Sequence, residues 1–324
     1  MQKLAVYALA AAGLVSPWVA GAQDYPNRSV ILTIPFAAGG PTDTLGRILG
    51  QVMSGSLKQQ VIVENVAGAG GTISYAKVAK SKPDGYTVLL AHIGMSTAPA
   101  LYRKPAVNPL TDYEYIGQVA DVPMTLIARK NLAPDTFKEF MNYFRANSKK
   151  MTYGNAGLGA ASHLCGLLFL SAVKIDVQTV SYKGTAPAMA DLMGGHIDFM
   201  CDQTTNTTAQ IKSGAVKVYA VTSRKGVPSL PGVPTLHDAG LKNFEVVVWH
   251  GLYLPKGTPK PVIDKLASAL QAAVKDPTFK TKLAELGAEP VPAAKATPDG
   301  LQKHLQAEID KWGPIIKAAG VYAD

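Results

Sequence analysis

The chain has 324 residues, 47% of them hydrophobic and 17% charged, with a formal net charge of +9. That balance excludes a disordered chain and supplies enough apolar side chains for two lobes. The lysines are spread singly over helix-like segments rather than gathered into a stripe with interleaved aromatics, which argues against a nucleic-acid partner; a diffuse positive surface is a solvated exterior that also suits the collection of small acids.

Lys3 precedes an apolar run over residues 4–15, and Ala20, Gly21 and Ala22 complete a small-x-small cleavage pattern. Residues 1–22 are therefore expected to be a signal peptide cleaved after Ala22, giving an exported, periplasmic chain. The run is too short to span a bilayer comfortably, and no later stretch replaces it. The first cysteine is Cys165, so no acceptor for a lipid anchor stands next to the cleavage site. Cys165 and Cys201 both sit in apolar company, and export permits a disulfide, so the pattern fits a bridge and two buried thiols equally.

The stretch from Val30 to Arg47, V-I-L-T-I-P-F-A-A-G-G-P-T-D-T-L-G-R, organises the rest of the chain. Val30, Ile31, Leu32 and Ile34 form the nearly unbroken apolar run of a strand covered on both faces, and Pro35 ends its ladder. Leu45, Ile48, Leu49, Val52 and Met53 then recur at helical spacing. With Gly40 at the cap, Pro41 occupies the first helical position, where its missing N–H costs nothing. Residues 37–40 carry no bulk, so their N–H groups and the helix dipole make a place for an anion. Asp43 falls at the third helical position and is read as structural, reaching back to the cap N–H.

Residues 61–66 form a second expected strand, succeeded by the glycine loop 67–71 and a helix over 72–80. Pro83, Asp84 and Gly85 make a turn, and residues 86–92 a third buried strand. Residues 92–97 are expected as a loop at that strand's carboxyl end, the edge where open α/β sheets collect ligands. Residues 115–120 and 124–129 read as two strands and 135–147 as a helix. The rhythm then restarts: a strand over 151–155 leads into the small-residue run 154–163, and an apolar helix continues to about Val173. Residues 177–182 are a strand leading through Lys183 into a helix that ends at Gly194. Ile197, Phe199 and Cys201 alternate in a strand ending at Asp202, Gln203, Thr204 and Thr205. Residues 216–223 and 244–254 are further strands, and residues from Pro259 onward are helical. Lys183 is either an anion partner or a solvated loop lysine.

Several enzyme readings fail on spacing. Residues 157–162, G-L-G-A-A-S, lack the last glycine of a dinucleotide fingerprint. Ser162 and His163 are neighbours on one helix and point apart, with no G-x-S-x-G elbow around them. The six histidines show no metal-ligand spacing and the cysteines form no C-x-x-C, so neither a metal nor another cofactor is expected.

Six segments taken together, I-P-F-A-A-G-G-P-T-D-T-L-G-R, V-E-N-V-A-G-A-G-G-T, P-D-G-Y-T-V-L-L, Y-G-N-A-G-L-G-A-A-S-H-L, S-Y-K-G-T-A-P-A-M-A-D-L-M-G-G and W-H-G-L-Y-L-P-K-G-T-P, resemble the Bug-type solute-binding receptors of the tripartite tricarboxylate transporter family. The resemblance implies an α/β fold of two doubly wound lobes joined by crossing strands, of the type II-like periplasmic binding class. Lobe 1 is expected over residues 23–122 and 248–324, and lobe 2 over 123–247. It implies a monomeric receptor, not an enzyme, that closes on a small carboxylate and delivers it to membrane transporter subunits. The ligand residues it nominates are Phe36, Ala38, Gly39, Gly40 and Thr42 on one side and Asn155, Gly157, Ser162 and His163 on the other, with His92, Ser96, Gly184, Thr185 and Asp202 around them. The run 201–205, C-D-Q-T-T, and His163 depart from the commoner pattern. Two opposed helix starts suit a dicarboxylate. Phe36, His92 and Met95 would accept a flat middle such as a phthalate isomer, and a short aliphatic diacid fits as well. A hydrolase using Ser162, His163 or Asp202, and a sensor signalling to a membrane kinase, are the alternatives. Closure is expected to hinge near Val122 and Val248.

Overall fold

The apolar run at Val30 forms β1 (Val30–Ile34), with four of its five residues buried. It pairs in parallel with β2 (Val61–Asn65) on one side and β3 (Thr87–His92) on the other. The crossover is α1 (Pro41–Leu57), whose Leu45, Leu49, Met53 and Leu57 bury one helical face and which stops at Lys58 in a left-handed conformation. The second crossover is α2 (Thr72–Ala79), after the tight turn Ala69–Gly71. These elements are described, with the rest, by a computed structural model covering residues 25–320 and Tyr322; the expected signal peptide lies outside the described residues.

After β3 come α3 (Gly94–Leu101) and β4 (Tyr113–Arg129), a single strand of 17 residues where two were expected. Next in the chain are α4 (Phe137–Asn147), β5 (Thr152–Asn155), α5 (Ala161–Val173), β6 (Gln178–Ser181), α6 (Thr185–Gly194), β7 (Phe199–Gln203), α7 (Thr204–Lys212) and β8 (Val216–Val221). The chain closes with β9 (Val247–Pro255), α8 (Lys260–Lys275), α9 (Pro277–Glu285), β10 (Glu289–Pro290) and α10 (Pro298–Ala319). The strand order is β2-β1-β3-β9-β4-β7-β5-β6, with β8 and β10 also pairing with β4. Two parallel α/β units are thus joined through an antiparallel pair, the doubly wound two-lobed arrangement expected.

β4 changes partners along its length. Tyr113 to Pro123 pair with β9, and from Met124 onward the strand pairs with β7 and β8. Pro123, opposite Val247 and without an N–H to donate, is the last residue paired with β9 before the change. Thr222 fastens the same point: its hydroxyl accepts from the Met124 N–H at 2.9 Å and donates to Val246 O at 2.6 Å. Val122 and Val248, the expected hinge residues, are direct partners here.

The second unit packs an aromatic core, with Phe140 against Tyr219 at 4.5 Å and Phe144 against Phe199 at 5.1 Å between ring centroids. Cys165 and Cys201 are bonded, which tethers α5 to β7 and resolves the two readings in favour of the bridge.

Residues 92–97, expected as a loop, lead into the helix α3, and Thr204 and Thr205, expected at the end of a strand, begin the helix α7. The first carries an internal proline, and the second reads T-T-N-T-T-A-Q-I-K with weak helix formers and little apolar period. Tertiary contacts rather than local propensity hold them, as for Thr204 Oγ1 and Thr208 Oγ1 donating to Gly287 O and Leu286 O, both at 3.0 Å.

Candidate functional site

The carboxyl ends of β1 and β5 point their loops at each other. α1 starts at Gly40 and α5 at Ala160, neither with a side-chain cap, so the first-turn N–H groups of Thr42, Asp43, Ala161, Ser162 and His163 have no intrahelical partner. α6 starts at Gly184 and α7 at Gln203, again with no side-chain cap. All four starts converge on one cavity lined by Phe36, Pro41, Thr42, His92, Ala156, Ala160, Ala161, Ser162, Thr185, Asp202 and Gln203. No lysine or arginine lines it.

The loop before α6 already touches the loop before α1, and the loop before α5 touches the turn before α2. A methyl group on Gly184 would lie 3.0 Å from the Ala37 nitrogen, and one on Gly70 would collide with Leu158 O at 1.8 Å. The Tyr102 hydroxyl stands 3.0 Å from Ala69 O and 3.4 Å from Leu158 O. The cavity volume is accordingly only about 10 Å³, about the room of one water. Any solute must part the walls to enter. Two clefts of about 340 and 330 Å³ behind the crossing strands share Asp121, Glu245 and Val247 and contain none of the expected ligand residues.

Six of the expected residues line the central cavity: Phe36, Thr42, His92, Ser162, Thr185 and Asp202. Phe36 stacks on His92 with centroids 4.8 Å apart, and His92 meets His250 edge-on at 5.8 Å. Thr42 Oγ1 lies 3.4 Å from His250 Nε2. His92 Nδ1 accepts from the Gly94 N–H at 3.0 Å, which leaves its proton on Nε2. Burial pushes the His92 imidazole down to about 4, and burial followed by the nearby His92 also lowers His250, so both are neutral at pH 7. Ser162 Oγ accepts from the Ala156 N–H at 2.8 Å and so keeps its own proton to donate.

Asp202 is fully buried. Its Oδ1 accepts from the Gln203 N–H at 2.8 Å and its Oδ2 from Asn206 Nδ2 at 2.6 Å. Burial nonetheless pushes the carboxyl up to about 7, against those bonds and the nearby Thr185 hydroxyl. Gln203 Oε1 and Asn155 Nδ2 are buried polar atoms without a hydrogen-bond partner.

The remaining expected residues do not line the cavity. Ala38 and Gly39 are exposed on the rim, and Gly40 is the buried cap of α1. Asn155 and Gly157 shape the loop before α5: Asn155 Oδ1 accepts from the Gly157 N–H at 2.8 Å, and Gly157 at φ +106° approaches Gly70. His163 is buried behind that loop, taking the Gly159 N–H on Nδ1 at 3.3 Å, and Gly184 packs on Ala37. Ser96 stands apart from the cavity, donating to Ile93 O at 2.7 Å and lining a separate cleft between α3 and α10. Asp43 is tied into the α1 start by the Gly39 N–H, Arg47 and Asn65, each at 2.9 Å. It bonds the N–H one residue before the cap rather than the cap N–H expected for it. Gln203 and His250 were not among the expected ligand residues; the polar run at the carboxyl end of β7 was the signal for the first, and nothing local marks the second.

The family described as tripartite tricarboxylate transporter family receptor matches residues 45–321. The chain belongs to this receptor family. It is 52% identical to the periplasmic binding protein BugD, whose structure superposes with a TM-score of 0.90 over 92% of this chain and 99% of that one. MatC (Rpa3494) from Rhodopseudomonas palustris, solved with bound malate, is 36% identical with a TM-score of 0.86, covering 90% and 100%. Rpa4515 from R. palustris, solved with adipate, is 31% identical with a TM-score of 0.87, covering 92% and 99%. These relatives are solute-binding receptors, so this member of the family is a receptor and the hydrolase reading of Ser162, His163 and Asp202 is set aside. Among the described residues no helix is long and apolar enough to cross a membrane.

Proposed function

We propose that this receptor captures a small dicarboxylate between residues 23–122 with 248–324 on one side and residues 123–247 on the other, and hands it to membrane subunits of a tripartite tricarboxylate transporter. The observation that carries the reading is the convergence of four uncapped helix starts on one cavity without a cationic side chain. Helix starts offer N–H groups and partial positive charge to anions, and opposed starts suit an anion at each end of one solute. The malate and adipate complexes of two relatives agree with this charge pattern. The Phe36–His92 stack supplies an apolar wall for the carbon chain or ring between the carboxylates.

Closure rests on the same contacts. The cavity is smaller than any dicarboxylate, so entry needs the two sides to rotate apart, with Pro123, Val122, Val248 and the Thr222 fastening at the pivot. A solute that binds both sides favours the closed state by its differential affinity. A thermal-shift screen tests the proposal. At a hundredfold excess over Kd, a dicarboxylate is expected to raise Tm by roughly 5 °C, with matched monocarboxylates giving less and neutral diamides nothing. Equal shifts from diacids and diamides would remove the two-ended anion site.

A further inference from the structure

Asp202 does not fit a site built for anions. It lines the cavity that four helix starts surround, yet it is itself an acid, and no lysine or arginine faces it there. Both of its oxygens are already occupied as acceptors, by the Gln203 N–H and by Asn206. A solute carboxylate that reaches this wall therefore meets a second carboxylate. Two carboxylates in contact hold one proton between them rather than two negative charges. We propose that Asp202 binds the solute through a shared proton, so that a dianionic dicarboxylate enters the closed receptor together with one proton taken from solvent. This rests on the dicarboxylate reading and adds to it the charge state in which the solute is held.

The surroundings select Asp202 as the group that takes the proton. Burial has already raised its carboxyl to about 7, and an approaching anion raises it further. The other titratable groups around the cavity are worse placed. His92 on β3 and His163 on α5 are lowered by burial to about 4, and His250 on β9 is lowered as well, so each imidazole must overcome a larger desolvation cost before charging. Tyr153 on β5 is buried, with its phenolic proton donated to Ser162 O. Asp43 on α1 is held ionised by Arg47, the Gly39 N–H and Asn65. Opposite Asp202 on β4 stands Thr125, which does not titrate and donates to Asp202 O at 3.2 Å. The Thr185 hydroxyl beside it is a donor available to the proton-sharing pair.

The test is calorimetry of the full mature chain with adipate, succinate and terephthalate, whose only polar groups are carboxylates. Binding enthalpies at pH 8.5 in two buffers of different ionisation enthalpy count the protons taken up. Close to one proton per solute is expected, and affinity should fall about tenfold per pH unit above pH 7 as the proton becomes scarcer. The Asp202→Asn variant carries the hydrogen-bonding pattern of the protonated form, once the Asn206 amide turns to accept. It should lose both the proton uptake and the pH slope. Binding with no proton uptake in the unaltered receptor would overturn the proposal, and that measurement stands even where the variant fails to fold. Uptake that survives Asp202→Asn would also overturn it and move the proton to a histidine. If none of the three acids binds between pH 5.5 and 8.5, the dicarboxylate reading falls and takes this proposal with it.

Discussion

Helices that begin on the outer surface and helices that begin at the cavity meet the same difficulty, four N–H groups with no partner inside the helix, in different ways. On the outside, Thr136 caps α4 by accepting from the Glu139 N–H at 3.2 Å, Asp276 caps α9 from the Phe279 N–H at 3.0 Å, and Thr297 caps α10 from the Gly300 N–H at 3.0 Å. At the cavity, α1, α5, α6 and α7 begin on Gly40, Ala160, Gly184 and Gln203, and none of these caps with its side chain. A missing cap alone marks nothing, since α2, α3 and α8 lack one too. Convergence is what distinguishes the inner four. Chain elements elsewhere must hold their starts in register, and the N–H groups remain directed at whatever fills the space.

If that is so, breaking a tether of the inner starts should cost the molecule more than removing an outer cap. The disulfide between Cys165 on α5 and Cys201 on β7 ties the Ser162 start to the strand that carries Asp202. It closes a sequence separation of 36 residues, for which the loss of chain entropy in the unfolded state corresponds to about 3–4 kcal/mol. The Cys165→Ser/Cys201→Ser double variant is expected to lose that much in urea unfolding and to bind solute more weakly. A loss below about 1 kcal/mol would mean that packing alone fixes the α5 start.

Closure gives the next largest effect. A methyl on Gly70, in the turn before α2, would run into Leu158 O in the loop before α5, while a methyl on Gly195, at the end of α6, meets nothing within 4 Å. Both glycines have positive φ, +61° and +79°, so alanine at either brings a similar backbone cost of about 1 kcal/mol. Only Gly70→Ala obstructs the closed state. It should weaken solute binding at least about 30-fold, roughly 2 kcal/mol, while Gly195→Ala leaves affinity unchanged. Equal affinities in the two variants would mean that the Gly70 contact is not formed when solute is bound.

The strands and their glycine loops were legible because apolar runs and turn residues act locally: β1, β2, β3 and β5 and the Pro41 start of α1 lie within a residue or two of where the pattern puts them. The facing of residues 37–42 and 156–162 across one cavity was legible too, since α/β units carry such loops at the carboxyl ends of their strands. What escaped depends on the other side of the molecule. α3 and α7 have weak helical composition and are held by tertiary contacts, and β4 runs unbroken through Pro123 because β9, β7 and β8 supply partners in turn. Ser96 sits near the site in sequence, but the helix that begins at Gly94 carries it toward α10. His250 reaches Thr42 across 208 positions of chain, a distance that no local pattern encodes.

The smallest effect is the one that separates the two kinds of helix start most cleanly. Thr297→Ala removes the hydroxyl that accepts from the Gly300 N–H and leaves that donor to water. The helix it caps runs 22 residues and packs Leu301, Leu305, Trp312 and Ile316 into the core, so the fold survives the loss. A cap of this kind contributes about 1 kcal/mol, and that decrease is expected in urea unfolding. Solute affinity should not change, because α10 starts away from the cavity and no residue of it lines the wall. A cap-deletion variant that lost affinity together with stability would show that the outer starts also set the geometry of the inner ones, and the division between the two classes would no longer hold.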